Sequence, residues 1–265
     1  MVRMWVEALP TPIGLPLFVI VFVGVSLAIV VVLRRWVPRA TAGDNEWDRV
    51  LGYAMASYGV LYGVTLALIA AATYENYRQV EEIVLHETST VATLYRDVSG
   101  FPEPEQAQLE LLVVDYTDHV IAVDWPKQAV GEVPSHTVEE VSQIRDILFA
   151  FEPETQAEAA VQLQTIQAFN QFVTARGERI GVTGLALPGL LWIVLGVGAL
   201  LNAVLIGLVE MRQLRRHLVM AGIIAAYVGI VVFAVASFDR AYTGAVAVTP
   251  EYFIELRDWL FTTSE

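Results

Sequence analysis

Two histidine and carboxylate pairs are the first residues in this 265-residue sequence whose types could do chemistry: Glu82 with His86, and Asp115 with His119, each four positions apart. That spacing puts both members of a pair on one helical face. Carboxylates and imidazoles on facing helices can hold a transition metal. A rise of about 1.5 Å per residue along two antiparallel helices brings His86 and His119 to similar heights. The di-metal bundles, however, use Glu-x-x-His, which is absent here. Where acids are this dense, such pairs also fall together by chance. The reading carried forward is a solvated face with no metal and no cofactor; Glu82, His86, Asp115 and His119 are the residues that would hold an ion.

A second set is electrostatic. Glu75 and Glu82 on an outgoing helix stand near the height of Arg179 and Arg176 on a returning one, and a charge on a packing seam needs a partner. Register-setting ion pairs are expected between them. Glu87 also sits on a seam, higher up, with His119 as its expected partner. The third set is Tyr58, Tyr62 and Thr65, at i, i+4 and i+7 on one face of an apolar helix. Polar groups at that depth either hydrogen-bond to a neighbouring helix or line a water-filled path between protomers, so these three are candidate pore-lining residues. No Gly-x-Ser-x-Gly, His-Glu-x-x-His or phosphate-cradling loop occurs, and no catalytic residues are assigned. The chain reads as a non-enzyme.

The elements that must position these residues are mostly membrane helices. Four apolar stretches, 13–33, 50–74, 182–209 and 218–238, are each long enough to cross a hydrocarbon core of about 30 Å. No span carries a central Asp, Glu, Lys or Arg, which argues against a proton-coupled transporter. Gly184, Gly189, Gly196 and Gly198 would let span three approach its neighbours closely. Between the second and third spans lies an insert, residues 75–181, with 19 acids against 6 basic residues; its balance of −13 equals that of the whole chain. Such a block repels phosphate, so nucleic acid is excluded as a partner. The absence of cysteine excludes disulfides and thiolate sites.

Arginines in short loops set orientation. Arg34, Arg35, Arg39 and Arg49 lie between spans one and two, and Arg212, Arg215 and Arg216 between spans three and four. Both loops are expected in the cytoplasm of a cell-membrane protein, with the insert and both termini outside. The first span closes on Arg34-Arg35 without a small-residue cleavage pattern and reads as an uncleaved anchor. The aromatic residues of the first six positions and of residues 252–261 read as segments lying on the headgroups.

Within the insert, Val80, Val84, Glu87, Val91, Leu94 and Val98 keep 4-3-4-3-4 spacing, so span two continues outward as a stalk. A second helix carries Leu109, Leu112, Val113, Tyr116, Val120 and Val123 and is interrupted at Pro126. A third starts near Thr137-Val138-Glu139-Glu140, buries Val141, Ile144 and Leu148, and ends before Pro153. A fourth, with Ile166, Phe169, Val173, Arg176 and Ile180 in register, continues into span three. The expected fold is all-α: four transmembrane helices with a four-helix acidic bundle inserted on continuous stalk helices. The domains are 1–74 with spans one and two, the bundle 75–181, 182–238 with spans three and four, and a tail 239–265 with a short amphipathic helix.

Several segments in order, Tyr74-Glu75-Asn76-Tyr77, Leu94-Tyr95-Arg96, residues 120–126, Arg176-Gly177-Glu178-Arg179, residues 188–192, Asp239 to Gly244 and Val248-Thr249-Pro250, resemble a bacterial family of unknown function called bestrophin-like. The resemblance covers roughly residues 50–255 and is most specific at Asp-Arg-x-x-x-Gly, where the family commonly has Pro-Phe and this chain has Ala241-Tyr242. It implies four spans with a helical insert. Through the family's name it points further, to bestrophins, oligomeric anion channels whose second span lines the pore; Gly63 to Leu66 and Tyr74 to Asn76 are loosely similar to that span. In bestrophins the segment after the second span is cytosolic, the opposite of the arginine count. Two functions follow: a homo-oligomeric channel in the lipid bilayer passing inorganic ions, cations by its acidity, or a membrane-anchored sensory or interaction module whose external bundle binds a partner or ion.

Overall fold

The computed structural model describes residues 11–35, 45–135, 138–209, 213–244 and 246–263. Arg39, Arg212, Thr137 and the N-terminal aromatic segment lie outside the described residues. The elements are α1 (Thr11–Arg34), α2 (Asn45–Val98), α3 (Glu105–His119), a π-helical turn (Val120–Asp124), α4 (Trp125–Ala129), α5 (Glu139–Ala150), α6 (Gln156–Gly181), a 3-10 turn (Val182–Gly184), α7 (Gly189–Gly207), α8 (Leu214–Phe238) and α9 (Glu251–Thr263). The described residues hold no strand. Four helical stretches are long and apolar enough to cross a membrane, so this is a multi-pass membrane protein. The chain divides into two compact units: residues 1–76, 186–239 and 244–246, and residues 77–185, 240–243 and 247–265.

The first unit contains α1, the first part of α2, α7 and α8. Its core joins Tyr62, Leu66 and Ile69 of α2 to Leu195 of α7 and to Val228, Val232 and Val235 of α8, while Leu190, Ile193, Ile223 and Tyr227 stay exposed. Large apolar side chains left outside are what a lipid solvent requires.

The second unit is built on the rest of α2. All six positions of the predicted seam, Val80 to Val98, are at most 1 % exposed, Glu87 among them. Leu109, Val113, Tyr116 and Val120 face them, with Ile144 and Leu148 from α5. Pro126 does not end the second helix. The π turn carries the chain around it: the N–H of Trp125 bonds the carbonyl of Val120, and Pro126 then sits in the first turn of α4, where its missing N–H costs nothing. At α6, Thr155 caps Glu158 N at 3.1 Å and the Glu158 carboxylate accepts from Glu154 N at 2.7 Å, a reciprocal cap. The start of α5 has Val138 as its N-cap residue and no side-chain cap.

Three sequence expectations are corrected. Residues 182–188 are not α-helical, so α6 ends at Gly181 and the third span begins at Gly189; only α2 is a continuous stalk. Asp239 stabilises that break by accepting the Leu187 N–H at 2.6 Å and the Trp192 indole N–H at 3.3 Å, which is why this carboxylate is buried beside an apolar helix. In α6 the buried stripe is Thr165, Ala168, Phe169, Phe172, Ala175, Arg176, Arg179 and Ile180; it keeps Phe169, Arg176 and Ile180 of the predicted seam but not Val173, which is 40 % exposed. Phe172 packs edge-on to Tyr116 and turns the helix accordingly. The C-terminal segment does not lie on headgroups. In α9 Phe253, Leu256 and Leu260, at i, i+3 and i+7, are buried in the second unit's core, so its apolar stripe is satisfied by protein.

Candidate functional site

The second unit holds a buried polar centre assembled from six elements. Arg179 of α6, fully buried, donates from Nε to Glu87 Oε2 at 2.5 Å, from Nη1 to Gln128 Oε1 at 2.6 Å and from Nη2 to Asp124 Oδ2 at 2.9 Å. Glu87 Oε1 accepts from the Tyr116 hydroxyl, and Gln128 Nε2 donates to Thr183 Oγ1 at 2.8 Å. The guanidinium also lies 5.8 Å from the centroid of the Phe253 ring. Burial works against the charge on Arg179, yet Glu87 beside it and the hydrogen bond to Asp124 hold its pKa above the ordinary arginine value. Burial, then the negative Glu87, pushes the Tyr116 phenol well up. The guanidinium is clamped by two carboxylates and an amide. Chemically it is a tie between α2, α3, the π turn, α4, α6 and the 3-10 turn.

This geometry corrects the predicted stalk pairs. Arg179 meets Glu87, not Glu75: the two acids are twelve residues apart on one helix, about 18 Å. The height count assumed α6 running unbroken as an α-helix into span three, and residues 182–188, a 3-10 turn followed by irregular chain, break that register. Glu75 is exposed, and Glu82 pairs with Arg78 one turn back at 2.7 Å. Arg176 is 4 % exposed, donates to the Ser135 carbonyl at 2.8 Å and lies over the Tyr116 ring. Glu87 finds Tyr116 and Arg179 rather than His119. His119 instead lies between Asp124, 3.7 Å from Nε2, and Glu140, 3.4 Å from Nδ1. His86 borders a surface groove with Asn170, Gln171 and Thr174. Among the described residues no three His, Asp or Glu side chains gather as a metal site would need. Asp124 and Gln128 were missed by sequence reasoning, although they follow the buried Tyr116 and Val120 at four-residue steps.

In the first unit, the polar face of α2 turns towards α7. The Tyr58 hydroxyl donates to the Gly198 carbonyl and the Tyr62 hydroxyl to the Leu195 carbonyl at 3.0 Å, with the two rings stacked. Thr65 donates to its own helix at Leu61 O, 2.8 Å. Gly198 makes this approach possible, because a Cβ there would stand 2.1 Å from the Tyr62 ring; at Gly184, Gly189 and Gly196 it would meet nothing within 4 Å. Tyr58 and Tyr62 are therefore bonded within the protomer: at that depth a nearby carbonyl satisfies each hydroxyl. On the opposite side of α2, Tyr53, Val60, Val64 and Leu68 are 54–70 % exposed, with Ala67 and Ala71 also exposed.

A family model, the bestrophin-like domain, matches residues 20–253. The chain belongs to the bestrophin-like family. Solved structures with the same fold are bacterial bestrophin homologues from Klebsiella pneumoniae. One point variant shares 11 % identity over 92 % of this bestrophin-like chain and 99 % of its own, with a TM-score of 0.60. A second variant has 9 % identity over 93 % and 98 %, also at 0.60, and a structure phased with zinc has 10 % over 92 % and 98 %, at 0.59. No curated protein matches significantly.

Proposed function

We propose that the bestrophin-like chain is the subunit of a homo-oligomeric ion channel whose pore is lined by the second span. The observation that carries this reading is the division of α2 into two faces. One is spent on α7 through Tyr58 and Tyr62; the other, with Tyr53, Val60, Val64, Ala67 and Ala71, has no partner in its own unit. Family membership and the bacterial bestrophin fold support the channel class. In this reading the pore-lining residues are Val60, Val64, Ala67 and Ala71 rather than Tyr58, Tyr62 and Thr65. The −13 balance of the insert favours cations over anions as the conducted species. The arginines of the two short loops favour an extracytoplasmic insert. Because the chain has no cysteine, a single cysteine placed at exposed Glu132, probed with a membrane-impermeant maleimide on intact cells, tests that orientation; labelling only after lysis reverses it to the bestrophin arrangement.

The channel reading is tested by reconstituting the intact purified oligomer and recording currents in a salt gradient. Discrete conductance with a cation-selective reversal potential supports it. Silence across pH and divalent-ion conditions overturns it and leaves the sensory module, which would need a partner subunit.

A further inference from the structure

The chain leaves α4 through a tight loop closed on its own backbone. The Lys127 carbonyl accepts from the N–H groups of Val130 at 3.1 Å and Glu132 at 2.9 Å, the Gln128 carbonyl accepts from Gly131 at 2.9 Å, and Gly131 has a φ of +80°. Val130 and Val133 are left 69 % and 58 % exposed. Arg240 fixes where this loop lies. A Cβ on Gly131 would stand 3.6 Å from an Arg240 guanidinium nitrogen, so that side chain runs against the loop. Arg240 itself is two residues beyond Phe238, the last residue of the fourth span. That span, α8, has 25 residues, about 37 Å at 1.5 Å each, which exceeds a hydrocarbon core of about 30 Å, so its end reaches the headgroup region. Two residues of chain add at most about 7 Å. The loop is thus held within an arginine's reach of a boundary that span four already shares with lipid.

Charge singles out the same place. Lys127 is the only lysine in the chain, and it stands in the insert whose balance is −13. The surface arginines Arg78, Arg96, Arg145 and Arg257 each lie beside a carboxylate, at 2.7–3.8 Å. Lys127 and Arg240, both exposed, have no carboxylate partner among the described residues. Two exposed valines beside two unpaired cations match the layering of a bilayer's edge, where apolar atoms meet acyl chains and cations meet phosphates.

We propose that residues 127–133 and Arg240 form a lipid-contact site, in which Val130 and Val133 enter the acyl boundary while Lys127 and Arg240 hold the phosphate of an anionic phospholipid headgroup. Glu132 keeps its carboxylate in the water, as long charged side chains at a membrane interface do. The site rests on the four spans and not on the channel reading.

Because the chain has no cysteine, the intact protein can be spin-labelled at Val130→Cys alone. It is placed in nanodiscs of phosphatidylcholine with or without phosphatidylglycerol, and collisions of the label with oxygen and with a water-soluble nickel chelate are read by electron paramagnetic resonance. Phe149→Cys, 64 % exposed on α5, is the aqueous reference. The expected ratio of oxygen to nickel accessibility at position 130 is at least twofold above that at 149. It rises further with phosphatidylglycerol, and Lys127→Gln or Arg240→Gln abolishes that rise. A ratio equal to that at position 149 overturns the proposal. A label shielded from both reagents means that a second copy of the chain covers the loop, and overturns it as well. A rise that persists in both glutamine variants, or no rise at all, overturns the headgroup assignment. Should Val130→Cys not assemble, Val133→Cys replaces it with the same expectations.

Discussion

The two units solve the same problem, a polar group away from water, in different ways. In the second unit Arg179, Glu87, Asp124 and Gln128 are buried among each other, and each polar atom of the arginine has a side-chain partner. In the first unit Tyr58 and Tyr62 reach backbone carbonyls of the neighbouring helix, and the buried carboxylate of Asp239 accepts from neutral N–H groups of Leu187 and Trp192. The difference reflects the surroundings. A water-facing bundle excludes alternative partners by packing and can hold a full ion network, whereas in lipid a charge is so costly that neutral hydroxyls bonded to carbonyls serve instead. One helix, α2, supplies residues to both.

The comparison breaks most visibly at Arg179. Arg179→Met leaves Glu87 and Asp124 buried without their cation, and the expected loss is about 3–5 kcal/mol, read as a large drop in the thermal midpoint of the detergent-solubilised protein. Phe253→Ala should cost about 3–5 kcal/mol as well, because α9 belongs to the core; if it lay on headgroups instead, the midpoint would not move. In the membrane unit Gly198→Ala should cost about 1–3 kcal/mol by driving a methyl into the Tyr62 ring, while Gly196→Ala leaves the midpoint unchanged or slightly raised. Tyr62→Phe removes one buried interhelical hydrogen bond and should cost only about 0.6–1.7 kcal/mol. The smallest effect concerns pH. The Tyr116 phenol has its pKa raised in the folded state, so its contribution is fully present below the unfolded value of about 10 and is lost as pH rises beyond it. Tyr116→Phe should therefore remove a tyrosine that stays neutral in an alkaline absorbance titration of the native protein.

Much of this was legible beforehand because it is periodic. The four spans announce themselves by length, and the Val80 to Val98 seam by its 4-3 spacing, including the buried carboxylate Glu87. What failed depends on interruptions. Residues 182–188 look apolar enough to continue a helix, but Asp239, more than fifty positions later, supplies the acceptor that stabilises the break. Asp124, four residues after the buried Val120, is buried within the π turn ahead of Pro126, whereas the expected seam position Val123 is 36 % exposed. Height counting then misassigned Arg179 to Glu75. Likewise the polar face of span two was visible, but its destination was not: Gly198 alone, among four glycines in and just before span three, is where Tyr62 closes on the backbone.

In the proposed channel α2 shows one face to its own protomer and the other to a conducting axis. The most direct test is current through reconstituted oligomers bearing single cysteines, exposed to a charged methanethiosulfonate. Val64→Cys is predicted to conduct like the wild type and to be blocked or strongly altered on modification, with Thr65→Cys unresponsive. Modification at position 65 but not at 64, or a wild-type oligomer that carries no current, would contradict it.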